Sequence, residues 1–459
     1  MSIRNHFIRL SLQPWLLSAL LLVGGSVMAQ DSPPPLEEMW RIIQQQQTEI
    51  DDLKRQNSQL QEQVKEAPAV ATAAPAPAPE AEEPSKTRMK IYGHAMLDMG
   101  YEAKQSDPDW FDVVRPTKLP SFENEFGDDG NFFSSVRQSR LGFKTDTLTK
   151  LGDLKTIFEF ELFGVGEDAG QTTFRLRHAW GELGQFGAGQ YWSAFMDIDV
   201  FPNSIEYWGP NGMVLYRNVQ ARWTPWSDGD SRLAISLERP GGSGDGGKFA
   251  DRVELEDVSG DFELPDLATH FRWAQGWGHV QVAGILRQIK WKDNNDDQFD
   301  LSGSDTGWGI NLSGNYKIGP HVLRGSVVYG EGVQNYMNDA TVDIGVVENP
   351  SNPNKPIKGE AIPVLGVVAF MDLNWSDKWT STIGYSYQDN DPTNGQADSS
   401  FKKGQYALAN VLWHPVPNFF VGPEIQWAKR DNFRDGFSSD NYRFQFSAKY
   451  NFNKSFGAN

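Results

Sequence analysis

The chain has 459 residues, no cysteine, and 60 acidic against 42 basic side chains, for a formal net charge of -18. The missing thiols exclude a disulfide scaffold, a cysteine-ligated zinc site and thiol catalysis, and they suit a protein that crosses an oxidising periplasm unfolded. The acidity argues against nucleic acid as a partner.

Residues 1–29 read as a secretory leader: Arg4 and Arg9 come first, then an apolar run from Trp15 to Val23, then Val27-Met28-Ala29 as a small-residue cleavage site. Residues 30–66 carry a heptad, with Leu36, Ile43, Ile50, Asn57 and Val64 at a and Met39, Gln46, Leu53 and Leu60 at d. Nothing nearby in sequence covers this stripe, so it predicts a short periplasmic coiled coil that self-associates, with Gln46 and Asn57 fixing the register. The pattern itself does not choose three strands over two. Residues 67–87 turn to Ala, Pro and Glu, with Pro68, Pro75, Pro77, Pro79 and Pro84, and form a linker extended at about 3 Å per residue.

Beyond the leader no stretch offers the run of roughly 18 apolar residues that a membrane helix needs. A barrel spreads its apolar residues over every second position and needs no such run. Residues 88–452 follow that pattern, as about sixteen extended segments. Short joins such as Gln275-Gly276-Trp277-Gly278, Gly319-Pro320 and Ser376-Asp377 alternate with long, acidic, Gly- and Asn-rich loops. The clearest segment is the last. Tyr442, Phe444, Phe446, Ala448, Tyr450 and Phe452 alternate with Arg443, Gln445, Ser447, Lys449 and Asn451, which separates two faces only in a strand. Its length and its aromatic ends match a strand tilted across a bilayer. The expected fold is therefore an all-β, transmembrane antiparallel β-barrel of about sixteen strands, followed by a short extension at 453–459. Most tryptophans fall at strand ends or on the lipid parity, as an interfacial girdle requires.

The same parity sorts the charges. Leu141 and Phe143, then Phe174, Leu176 and Trp180, then Val219, Ala221 and Trp223 face lipid, which sends Arg140, Arg175, Arg177 and Arg222 inward together with Arg232, Arg272, Arg324 and Arg443. Arginines on neighbouring strands repel in an empty pore, and a water-filled channel for anions gives them a purpose. Glu159, Glu161 and Glu238 also face inward, so an internal salt-bridge network that plugs the barrel is the competing arrangement. The segment 193–213, with Asp197, Asp199, Glu206, Tyr207 and Trp208, is too aromatic for a solvated tip and is expected to fold into the barrel or onto a neighbouring subunit.

Other signals fall away. Gly242 to Lys248 starts like a phosphate-binding loop, but Phe249 stands where Ser or Thr belongs. Asp293, Asn295 and Asp297 have calcium-loop spacing, yet Gln298 and Ser304 replace the required Gly and Glu. The histidines show no ligand spacing and no nucleophile elbow occurs, so no cofactor, no metal and no catalytic residue is expected.

The chain resembles the DcaP-like outer-membrane porins. The likeness rests on the order of leader, coiled coil and spacer, then Lys90-Ile91-Tyr92-Gly93-His94, Val136 to Phe143, Leu176-Arg177-His178-Ala179-Trp180, and Gly189-Gln190-Tyr191-Trp192-Ser193 leading to Asp197. It implies a homotrimer in outer-membrane lipid and lipopolysaccharide, a constriction by an inward loop, and passage of small anionic solutes such as dicarboxylates through an arginine-lined eyelet. One departure is that porins usually end on an aromatic residue, whereas seven residues follow Phe452. The rival readings are a general or cation-preferring porin, and an envelope tether whose coiled coil contacts the cell wall.

Overall fold

The computed structural model describes residues 54–55, 87–339 and 341–457. The leader, the heptad and the linker lie outside the described residues, apart from helical Lys54 and Arg55 and the first strand residue, Thr87. By its internal contacts the chain divides into Met1–Glu83 and Pro84–Asn459.

The second unit is a closed antiparallel barrel of 16 strands. These are β1 (Thr87–Glu102), β2 (Asn131–Ser135 continued by Arg140–Thr149), β3 (Gly152–Phe163), β4 (Thr172–Leu183), β5 (Phe186–Trp192), β6 (Arg217–Asp228), β7 (Ser231–Glu238) and β8 (Asp266–Gln275). The second half comprises β9 (Gly278–Asp293), β10 (Gly303–Ile318), β11 (His321–Glu331), β12 (Pro363–Ser376), β13 (Trp379–Asn390), β14 (Phe401–Trp413), β15 (Phe419–Asn432) and β16 (Ser438–Phe456). β1 pairs with both pieces of β2 and, from Met89 opposite Phe456 to Glu102 opposite Arg443, with β16. That seam leaves no free edge, which the hydrocarbon core requires. It also carries β16 four residues past Phe452, so most of the expected extension is strand, and the strand ends on the aromatic Phe456.

Turns at one rim are tight. Gly229 and Gly319 each take φ +59° at the first position of a two-residue turn, where a side chain would be strained. The other rim carries the long loops, and 344–348 with 357–361 form a separate small hairpin there. Outward residues are large and apolar, among them Leu141, Ile310, Leu312, Ile383, Val411, Ile425 and Phe444. Outward aromatics such as Trp223, Trp273, Tyr316, Trp379 and Trp413 collect towards the short-turn rim. On β16 the exposed set Tyr442, Phe444, Phe446, Tyr450 and Phe452 and the buried set Arg443, Gln445 and Ser447 alternate as the sequence demands.

Two features depart from simple alternation. Between β3 and β4 the register runs from Glu159 opposite His178 to Phe160 opposite Leu176, so Arg177 is an extra residue in a bulge. Everything after it changes face. Trp180, expected toward lipid, is instead inside, 7% exposed, stacked on Tyr191 at 5.4 Å and occupying space that a side chain at Gly187 would fill. The second departure is that the inner wall is not polar all round. Ala268, Ala283, Ile285, Val328, Val364, Val368, Phe370, Tyr406 and Leu408 point inward along β8 to β14 and are buried. Ala194, Phe195, Met196, Val200, Met213 and Val214 of the 193–216 loop cover them.

Candidate functional site

The 193–216 loop lies inside the barrel and follows its inner wall. Ala194 N–H donates to Glu238 on β7 (2.9 Å), Gln281 on β9 donates to the Met196 carbonyl (2.9 Å), and Asn311 on β10 to that of Phe195 (3.1 Å). Farther round, Asn203 N–H meets Asp372 on β12 (3.2 Å), and Ile205 and Glu206 N–H meet Glu424 on β15 (2.9 and 3.2 Å). Gln138 and Gln445 then hold the Ile205 carbonyl at 2.8 and 3.2 Å. Tyr207 donates to Glu161 on β3 and stacks on Phe163 at 4.0 Å. Every backbone group named has a partner from the wall, so the loop is a fixed part of the pore.

Its three acids have different roles. Asp197, 3% exposed, accepts from Arg272 (3.2 Å), His279 (2.6 Å) and Ser313 (2.9 Å). Asp199 takes the other end of Arg272 at 2.5 Å but keeps a side chain 48% exposed. Asp197, Asp199 and His279 lie close enough to share a metal ion, yet the cation beside both carboxylates is the Arg272 guanidinium. Glu206 is buried and ties the first external loop to this one, accepting from Val114 N–H (3.1 Å), Trp208 N–H (2.9 Å) and the Tyr406 hydroxyl (3.2 Å).

The inward arginines divide the same way. Arg272 fastens the loop, Arg324 pairs with Asp372 at 2.6 Å, and Arg443 is buried against Glu102 (3.4 Å) under the Phe133 ring. Arg232, on the open side of Arg272, donates to His270 at 3.0 Å.

Arg140, Arg175 and Arg177 gather instead on β2 and β4, joined by Arg217, where Tyr207 of the loop reaches Arg177 and Glu161. Around Glu161 stand Arg177 at 2.6 Å, Arg140 at 3.4 Å, and Arg175 and Arg217 at 3.7 Å each. Glu159 takes Arg177 at 2.6 Å and Arg140 at 3.8 Å, and accepts from Tyr92 at 2.7 Å. Four guanidiniums thus meet two carboxylates, leaving two positive charges in excess. Arg140 Nε, Arg175 Nη1 and Arg217 Nη1 have no hydrogen-bond partner within the protein. Arg222 lies nearby, bonded to Gln220 and the Trp192 carbonyl, with no carboxylate in salt-bridge range among the described residues. The orphan atoms are themselves buried, but Arg140 and Arg175 keep side chains 24% and 26% exposed, so the excess positive charge can meet a carboxylate or another small anion through them.

A family model for the DcaP outer membrane protein matches residues 30–452. The chain belongs to the DcaP outer membrane protein family. It is accordingly an outer-membrane channel of bacteria and a porin, not an enzyme. The solved DcaP channel of Acinetobacter baumannii superposes with a TM-score of 0.66 at 21% identity, over 80% of this chain and 98% of that one. The anion-selective porin of Comamonas acidovorans gives 0.50 at 10% identity, over 80% and 100%. OmpT of Vibrio cholerae gives 0.48 at 13%, over 82% and 100%. At 21% identity the Acinetobacter channel shares the barrel fold with this DcaP-family chain. No curated protein sequence matches it.

Proposed function

We propose that this porin passes small anions, dicarboxylates first, by diffusion between the inward loop and the wall of Arg140, Arg175, Arg177, Arg217 and Arg222. The observation that carries the reading is the excess of guanidinium over carboxylate around Glu161, with the Arg140 and Arg175 side chains partly exposed. At an effective dielectric near 20, a carboxylate about 5 Å from one guanidinium gains roughly 3 kcal/mol before desolvation is charged against it. Glu159 and Glu161 offset part of that attraction, so a solute is drawn in and can leave. Asp197, Asp199 and Glu206 shape the constriction by holding the loop rather than by meeting the solute.

The channel is read as a homotrimer. Support comes from polar groups on the outward parity of β1 to β5: Thr87 and Thr147 pair at 2.9 Å, Thr145 and Thr156 at 2.6 Å, and Gln190 caps the Leu176 and Arg177 carbonyls. Polar side chains on this outward face suit cover by another subunit better than contact with lipid. Proteoliposome uptake tests the solute class. Succinate is expected to enter faster than a neutral solute of equal size, with the advantage lost near 1 M salt, where screening acts within about 3 Å. Equal rates at low salt contradict the proposal.

A further inference from the structure

Below the arginine wall, toward the short-turn rim, the lumen widens into a concavity of about 460 Å³ that nothing described so far uses. Arg88, Lys90, Lys144 and Lys155 line it, with Asp146 and Glu182 as the acids. None of the four cations has a carboxylate within 4 Å among the described residues, whereas Arg177, Arg272, Arg287 and Arg324 deeper in the same barrel are each paired with one. The register makes this odder. Lys90 and Lys144 are direct cross-strand partners on β1 and β2. Directly opposite Cβ atoms lie roughly 5 Å apart, and like charges so placed destabilise a sheet unless a counter-charge sits between them.

The Lys144 ammonium is also held in place. Lys144 lies over the Tyr92 ring, 5.0 Å from its centre, and Gly142 leaves the space that ring occupies. The bulge at Arg177 brings Trp180 and Tyr191 inward to form the far side of the concavity. A second hollow, of about 260 Å³, shares Lys90 and Lys144 with the first and is lined higher up by Arg140 and Glu159. The two hollows therefore place basic residues between the arginine wall and the short-turn rim, which is the periplasmic rim of an outer-membrane barrel.

We infer that the Lys90–Lys144 pair, with Arg88 and Lys155 flanking Asp146 beside it, forms a second anion station in series with the arginines, suited to a small dianion held between the two lysines. The inference rests on the anion-channel reading above and adds a site to it. Two stations in series let an entering anion displace the one ahead, so transit does not require either site to bind weakly.

The test is side-specific block in single, oriented channels. Succinate added at the short-turn side is expected to reduce the chloride current at lower concentration than succinate added at the loop side. In Lys90→Gln with Lys144→Gln, that side's potency falls about tenfold, while the salt-gradient potential keeps its anion sign. Acetate, a monoanion, shows little side dependence in either protein. Heat-modifiable migration on gels establishes that the variant is folded, and the milder Lys144→Gln takes its place if the pair is not. A wild-type channel that prefers anions but whose block is unmoved by the substitutions overturns the second station alone. A wild-type channel that prefers cations overturns the first reading and this one with it.

Discussion

Replacing Arg175 and Arg177 together with alanine is expected to lower the anion preference of the channel more than its conductance. Of the four guanidiniums around Glu159 and Glu161, two remain, and they balance the two carboxylates instead of exceeding them. The excess positive charge around these two carboxylates is gone. The two residues act differently, which single variants reveal. Arg175 is 26% exposed and reaches Glu161 only at 3.7 Å, so Arg175→Ala folds normally and weakens selectivity. Arg177 is 8% exposed and bonds both carboxylates at 2.6 Å. Its loss leaves two buried charges short of their nearest partner, a change that costs about 3–5 kcal/mol where no other partner takes over. Arg177→Ala alone therefore lowers the unfolding temperature in detergent as well as selectivity. Salt-gradient potentials and thermal unfolding of the three variants check this, and an unchanged potential in the double variant removes these residues from the conduction path.

Asp197→Ala is expected to free the first part of the inward loop and to turn a steady open current into one broken by brief closures. The carboxylate holds Arg272, His279 and Ser313 at once, on three adjacent strands. Its removal leaves each buried donor without that acceptor, at about 1–3 kcal/mol for a buried group left unsatisfied. The apolar contacts of Phe195 and Met196 with the β8 to β12 wall remain, so the loop is loosened rather than expelled. Asp199→Ala is the control. Its carboxylate is half exposed and anchors only one end of Arg272, and its main effect is a small change in conductance. Single-channel noise and hydrogen exchange at Ala194 to Val200 separate the two, and quiet, wild-type currents in Asp197→Ala contradict the anchoring role.

Strand alternation was legible because each residue of a membrane strand sees either hydrocarbon or the interior, and β16 shows it without exception from Tyr442 to Ser447. Counting by twos fails wherever the backbone adds a residue. The bulge at Arg177 has no local signature, and Trp180 has the size and polarity of a girdle tryptophan. Arg217 was invisible for a related reason. It opens β6, and alternation from Val219 sends it outward, whereas the chain leaving the loop turns its side chain onto the Trp192 ring and toward Glu161. The inward direction of Arg272, Arg324 and Arg443 was readable, but their partners were not. Asp197, Asp372 and Glu102 lie 75, 48 and 341 residues away and meet them only once the barrel has closed. Apolar inward residues such as Phe370 and Leu408 gave the opposite difficulty: in a strand whose two faces are both apolar, alternation carries no contrast. Their cover is the loop, whose own apolar content was the signal that it folds inward.

The central claim is that water and anions pass along the guanidinium side of the lumen, and the zero-current potential of the wild-type protein in a planar bilayer between dilute and concentrated KCl tests it most directly. A potential of the sign set by chloride moving down its gradient, shrinking as the salt on both sides is raised, is the result expected from these charges. A potential of the potassium sign contradicts it.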